Sequence, residues 1–236
     1  ISFFTACGVP LMQGYGMTET ATATSCCTPD DNKLGSVGKP LPGVEVKIAD
    51  DGELLVHGSN VFQGYYNNPE ATAETLENGW LHTGDLATVD EDGFVFITGR
   101  KKDIIITAGG KNLTPANIEA ELKLSPIISQ AVMHGDRRPY PVALITLDPE
   151  TAPQWAEQQG LPTDLASLSK EQKVIDEIQR VLDGANENYA PVEQIKKFAI
   201  LPADFTQETG ELTPTLKVKR NVVENMYAAE LDALYA

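Results

Sequence analysis

Along the first 36 residues, apolar positions are scattered among glycines and threonines. Ile1-Ser-Phe-Phe4 reads as a strand. Val9-Pro-Leu-Met-Gln13 reads as a short buried strand ending at Gly14-Tyr15-Gly16. From Gly38 to Gly99 apolar and polar residues alternate, the period of a strand with one face buried. Val44 to Ile48 and Glu53 to His57 alternate around Asp51-Gly52, a strong hairpin signal. Leu86 to Val89 and Phe94 to Thr98 repeat that plan around Glu91-Asp92-Gly93. Between these pairs, Asn68-Pro-Glu-Ala-Thr-Ala-Glu74 predicts a short helix with proline near its start. Short strands joined by such turns predict a small β-barrel-like subdomain or a twisted sheet.

After Asp103 the pattern becomes mixed. Ile104 to Thr107 predicts a strand, and Thr114-Pro115 caps and opens a helix through Leu124. Strands are predicted over Ile128 to His134, Val142 to Leu147 and Lys197 to Leu201, and helices over Pro149 to Gln159 and Lys170 to Asn188. Val174, Ile178, Val181 and Leu182 form one apolar stripe on the second of these helices. A closing helix, Val222 to Tyr235, carries Val223, Met226, Tyr227 and Leu231 on its inner face. The fold class is therefore α+β. Residues 1–101 form the end of a larger N-terminal domain with the β subdomain, and residues 102–236 a small mixed domain with a central sheet. The chain opens at Ile1 inside an apolar run, which reads as part of a longer protein.

Composition narrows the chemistry. A net charge of −16 over 236 residues argues against a nucleic-acid partner, which needs a basic face. It leaves nucleotide binding open, because that needs only local cations. Seven of the 18 Lys and Arg residues stand in two clusters: Arg100, Lys101, Lys102 and Lys111, then Lys217, Lys219 and Arg220. The three cysteines, Cys7, Cys26 and Cys27, fit neither a disulfide framework nor a metal-ligand spacing, and read as reduced thiols of a cytoplasmic protein. No apolar run is long enough to span a bilayer, which leaves a peripheral membrane contact and the oligomeric state open.

Four stretches carry candidate chemistry. Gln13-Gly-Tyr-Gly-Met-Thr-Glu-Thr20 sets Tyr15 between Gly14 and Gly16, where it could stack on a planar ligand. Thr18 can donate to a phosphate oxygen, and Glu19 is a hard oxygen ligand suited to Mg²⁺. Taken singly, the segment is better read as a turn. In Trp80-Leu-His-Thr-Gly-Asp85, the Asp85 carboxylate can accept both hydroxyls of a ribose, or simply cap a turn. Gly99-Arg-Lys-Lys-Asp103 offers the Arg100 fork for the same sugar or a phosphate, or for a surface ion pair. Leu212-Thr-Pro-Thr-Leu-Lys217 holds a lysine in a loop stiffened by Pro214, able to reach an anion; alone, such a lysine is ordinarily just solvated.

In this order and spacing these pieces resemble the adenylate-forming superfamily, and within it the long-chain fatty acid–CoA ligases. The resemblance rests on Tyr15 to Glu19, Gly38-Lys-Pro-Leu-Pro-Gly43, Gly64-Tyr65-Tyr66-Asn67, Thr83-Gly-Asp85, Gly99 to Asp103, Gly109-Gly110 and Lys217. Leu216 departs from the pattern, since most relatives have glycine immediately before the lysine. The resemblance implies that a carboxylate is joined to AMP from ATP with Mg²⁺ and then passed to coenzyme A. It implies that Tyr15 borders adenine, Thr18 contacts phosphate, Glu19 binds Mg²⁺, and Asp85 and Arg100 hold the ribose. Lys217 would act at the phosphate under attack, and Gly109 and Gly110 would line the coenzyme A path. Lys102 would be the hinge. The family's Ser/Thr/Gly-rich phosphate loop does not occur in these residues, so the 236 residues alone are expected to be inactive. A non-catalytic module keeping the fold, and a ligase or AMP-ligase for another carboxylic acid, are the alternatives.

Overall fold

A computed structural model describes residues 1–236 and divides into two units, Ile1–Lys102 and Asp103–Ala236. In the first unit α1 (Ser2–Ala6) precedes a three-stranded antiparallel sheet of β1 (Gly14–Tyr15), β2 (Ser25–Cys26) and β3 (Lys39–Pro40). A larger sheet follows, built from β4 (Val44–Ile48), β5 (Glu53–Gly58), β6 (Leu76–Glu77), β7 (Trp80–Val89) and β8 (Val95–Arg100), with α2 (Pro69–Thr75) between β5 and β6. Both hairpin turns foreseen from Asp51-Gly52 and Glu91-Asp92-Gly93 form. In each, the glycine has a positive φ (86° at Gly52, 85° at Gly93), so glycine is what the turn requires. Leu54, Val56, Leu81, Ala87 and Val95 form the larger sheet's buried apolar cluster.

The large sheet is open, which corrects the barrel-like expectation. Leu81 pairs with Val56 of β5 on one edge and with Leu76 of β6 on the other. β8 shares that second edge further along, opposite Asp85 to Val89. β4 pairs with β5 alone among the described residues, so the sheet has free ends. The N-terminal expectations also change. Ile1 to Phe4 is not a strand: Ile1 precedes the short helix α1, which holds the rest of the run; Phe3 and Phe4 are exposed, and a helix satisfies its own backbone where no neighbouring strand offers partners. Val9 to Gln13 is irregular, and pairing begins only at Gly14, because Pro10 has no N–H to donate.

The second unit begins with the two-residue strands β9 (Ile105–Ile106) and β10 (Asn112–Leu113), then α3 (Pro115–Leu122). Its central sheet places β12 (Val142–Leu147) between β11 (Ile128–His134), antiparallel, and β13 (Lys197–Ile200), parallel. The parallel pair requires a long crossover, supplied by α4 (Thr151–Gln158), α5 (Leu165–Leu168) and α6 (Gln172–Asn186). Every residue of β12 is buried. Ala143, Ile145 and Leu147 face a core with α3 and α6, while Val142 and Leu144 face a second core with Val223 and Leu231. In α6 Val174, Ile178 and Leu182 are buried and Val181 packs beside them. The closing helix is broken into α7 (Arg220–Met226) and α8 (Ala228–Ala233) at Tyr227, whose φ of −108° and ψ of 29° leave the helical region. Tyr227 donates its hydroxyl to Glu211 Oε1 at 3.0 Å, and Met226, expected on the inner face, is exposed.

Candidate nucleotide site

Tyr15, Asp85 and Arg100 come together in the first unit. β7 and β8 set Asp85 directly opposite Arg100, whose Nε lies 3.0 Å from Asp85 Oδ1. The Tyr15 hydroxyl, at the end of β1, donates to Oδ2 at 2.5 Å. Asp85 is buried, whereas the Arg100 side chain is mostly exposed. Gly84, with φ 71°, lets the strand bulge there, and the Asp85 N–H donates to Thr83 Oγ1 at 3.1 Å. Burial, then the hydrogen bond to Asp85 and its negative charge, push the Tyr15 phenol far above its ordinary value. It is a neutral donor at any working pH.

Behind this clamp lies a buried carboxylate that the sequence reading missed. Glu53 Oε1 accepts the Gly84 N–H at 2.8 Å, and Oε2 lies 3.0 Å from both His82 Nδ1 and Lys101 Nζ. With Glu53 ionised, His82 Nδ1 is the donor. Asp51 holds the same ammonium of Lys101 at 2.5 Å. Burial by itself would raise the Glu53 pKa, but the bonds from His82, Lys101 and Gly84 outweigh it and hold the group below the usual glutamate range. The available signal was a charged residue opening the apolar run Leu54-Leu55-Val56.

Thr18 to Thr20 form a single 3₁₀ turn, closed by Thr20 Oγ1, which accepts the Met17 N–H at 3.0 Å. Thr18 is exposed, and its hydroxyl has no protein partner among the described residues. Glu19 Oε1 accepts the Tyr65 hydroxyl at 2.7 Å. Gly14 and Gly16 are explained by the chain itself. A Cβ on Gly16 would lie 2.0 Å from the Thr22 carbonyl oxygen, and one on Gly14 3.2 Å from that of Ser25. Thr22 and Ala21 take left-handed φ values of 75° and 51°, unusual for a β-branched residue in particular.

The remaining candidates belong to the second unit or its border. Lys217 is exposed at the end of a tight loop closed by the bridge Leu212↔Val218. Thr213 organises the loop: its Oγ1 accepts the Lys217 N–H at 3.0 Å, and its N–H donates to the Lys217 carbonyl at 2.8 Å. Buried Glu211 anchors the loop's base, where its carbonyl accepts the Lys219 N–H at 2.7 Å. Gly109 and Gly110 turn the chain between β9 and β10, with Gly110 at φ 75° and open space where a Cβ would stand. Lys102 is exposed in the 3₁₀ turn Lys101–Asp103. Among the described residues no group of three His, Cys, Asp or Glu could hold a metal ion, and no helix is long and apolar enough to cross a membrane.

Comparison with known proteins gives this geometry a context. Residues 1–66 match the model of the AMP-binding enzymes, and residues 102–236 that of the AMP-binding enzyme C-terminal domain. The chain is 48% identical over 235 residues to the long-chain-fatty-acid–CoA ligase FadD15 of Mycobacterium tuberculosis, covering 99% of this chain and 39% of that protein. It is 38% identical over 258 residues to the human long-chain-fatty-acid–CoA ligase ACSBG1, covering 99% of this chain and 36% of that protein. Among solved structures, O-succinylbenzoate coenzyme A synthetase from Bacillus subtilis, in complex with ATP and magnesium ion, superposes with a TM-score of 0.68 at 30% identity, covering 93% of this chain and 42% of that one. The chain thus spans about two fifths of the length of the relatives it matches.

Proposed function

The chain belongs to the AMP-binding enzymes, and on that premise we propose that its full-length protein is an ATP-dependent long-chain fatty acid–CoA ligase. The observation that carries the proposal is the Tyr15–Asp85–Arg100 clamp in a chain 48% identical to a ligase of that name. The clamp chemistry suits a ribose. Each Asp85 oxygen keeps a lone pair beyond its bonds to Tyr15 and Arg100, and a buried carboxylate strongly prefers such donors. Tyr15, locked neutral, sets the wall against which a purine would lie.

The carboxylate of a fatty acid is a poor electrophile, and adenylation gives it a good leaving group. In this reading Thr18 donates to a phosphate oxygen. Glu19 fits Mg²⁺ as a single carboxylate, the usual protein share of a site completed by phosphate and water. When bound, the ion offsets phosphate charge. Lys217 offsets charge developing at the phosphate under attack. Thiol transfer from coenzyme A would then use the turn at Gly109 and Gly110, after movement about a hinge at Lys102. A cytoplasmic location belongs to the same reading and is supported by the three free thiols.

The test is ATP–pyrophosphate exchange by the full-length protein with acids of graded length, followed by thioester formation with coenzyme A. Exchange that depends on long-chain acids is expected. Exchange only with short or aromatic acids would move the proposal to another acid, and none with any acid would favour a non-catalytic role.

A further inference from the structure

The segment after β5 folds back over the turn that carries Glu19. Asn60 Nδ2 donates to the Ala23 carbonyl at 2.8 Å, and the Phe62 N–H donates to the Glu19 carbonyl at 2.8 Å. The Tyr65 hydroxyl then takes Glu19 Oε1 at 2.7 Å. The backbone and the carboxylate of one residue are thus held by separate groups more than 40 positions away.

Tyr65 is itself placed with care. Gly64 has φ 138°, and a Cβ there would stand 2.6 Å from Thr72 Cγ2, so the chain can pass only as glycine. The Tyr65 N–H donates to Thr72 Oγ1 at 2.9 Å, and Thr72 Oγ1 donates onward to the Asn68 carbonyl at 2.8 Å. The ring stands edge-on to Phe62, with centroids 4.8 Å apart. Yet Tyr65 remains 37% exposed, so filling a core does not account for it. What its fixed phenol does reach is one oxygen of a glutamate that would otherwise be free to change rotamer.

We propose that Tyr65 is a positioning residue for the metal-binding carboxylate: it pins Glu19 Oε1 and leaves Oε2, which has no protein partner among the described residues, to meet the Mg²⁺ that accompanies ATP. This rests on the reading of Glu19 given above. A hydroxyl bonded to one oxygen orients a carboxylate without removing its charge, and loss of such an outer partner typically weakens metal binding by about 10–100-fold.

The experiment uses the full-length protein with a non-hydrolysable ATP analogue, and Mn²⁺ binding read by electron paramagnetic resonance. Tyr65→Phe should raise the Mn²⁺ Kd by roughly 10-fold or more. The melting temperature should stay near that of the wild type, and raising Mg²⁺ should restore adenylation. Unchanged Mn²⁺ affinity in Tyr65→Phe, beside a clear loss in Glu19→Gln, would overturn the proposal and leave the Glu19 assignment standing. Unchanged affinity in Glu19→Gln would overturn both. A lowered melting temperature with wild-type Mn²⁺ affinity would make Tyr65 a structural contact and nothing more.

Discussion

The phenol of Tyr15 and the carboxylate of Asp85, 70 positions apart, share a hydrogen bond of 2.5 Å that ties the first small sheet to the long strand β7. Asp85 is thereby loaded on one oxygen by Tyr15 and on the other by Arg100. A group so placed supports the fold and also presents a fixed acceptor.

Asp85→Ala in the full-length protein should weaken ATP binding. Hydrogen bonds to a charged acceptor are typically worth about 1.5–3 kcal/mol, or roughly 10- to 150-fold in Kd. Removing the carboxylate should also let the Tyr15 phenol fall back toward its ordinary value near 10, because two causes of its upward shift vanish. Calorimetry and an ultraviolet phenolate titration check the two halves. An unchanged ATP Kd would leave Asp85 with only its structural role.

Glu53 predicts a pH dependence. Its pKa is held below the usual glutamate range, so the unfolded chain binds the proton more readily than the folded one. The resulting stability is present above the unfolded value of about 4.3 and is lost as pH falls through the folded value. Glu53→Gln should cost about 1–3 kcal/mol at neutral pH, since Lys101 and His82 lose their ionised partner. It should also flatten the decline of stability as pH falls below about 4.3. Chemical denaturation across pH reads both. Glu211, depressed by hydrogen bonds from Thr209 and Tyr227 against its own burial, adds to the wild-type decline in the same window.

The loop before Lys217 carries a built-in cost. Leu216 has φ 60°, a left-handed conformation that disfavours any residue with a Cβ, and its side chain is 65% exposed. Leu216→Gly should therefore stabilise the second unit by about 0.5–1 kcal/mol, the relief of strain exceeding the added freedom of the unfolded chain. The denaturation midpoint should rise. A fall would mean that the leucine makes contacts outweighing its backbone strain.

Lys217 and Gly110 should separate the two half-reactions. In the full-length protein Lys217→Ala should slow adenylation by about 10²–10³ and largely spare thioester formation from supplied acyl-AMP. Gly110→Leu should do the reverse. No neighbour within 4 Å would obstruct the new Cβ in its own unit, and only the φ of 75° resists it. Assaying each half separately decides the matter, and equal slowing of both halves in both variants would reject the division of labour.

Legibility followed how local each cause was. Turns at Gly52 and Gly93, the helix opened by Asn68-Pro69, and the strands of the second sheet are written in neighbouring residues, and these were readable. The apolar run at Phe3 and Phe4 was ambiguous, because helix and strand both tolerate it and only the availability of pairing partners decides. Closure of the large sheet depends on which edge of β7 its neighbours take, a tertiary matter that alternation does not encode. For the site, the motifs marked Tyr15, Asp85 and Arg100. Glu53 and the partnership of Tyr65 with Glu19 went unread, since each acts only through residues distant in sequence. The need for glycine at position 16 was equally unreadable, since it comes from the carbonyl of Thr22 after the chain has turned back.

The double hold on Lys101 by Asp51 and Glu53 bears on how such proteins can be recombined. Three side chains from two separated stretches must come from the same parent for the clamp to close. A chimera joined between Glu53 and Lys101 would set a foreign chain against Asp51 and Glu53 and leave a buried acid facing an unmatched partner. A joint at Lys102–Asp103, where the two units divide, keeps the clamp intact and exchanges the second unit whole.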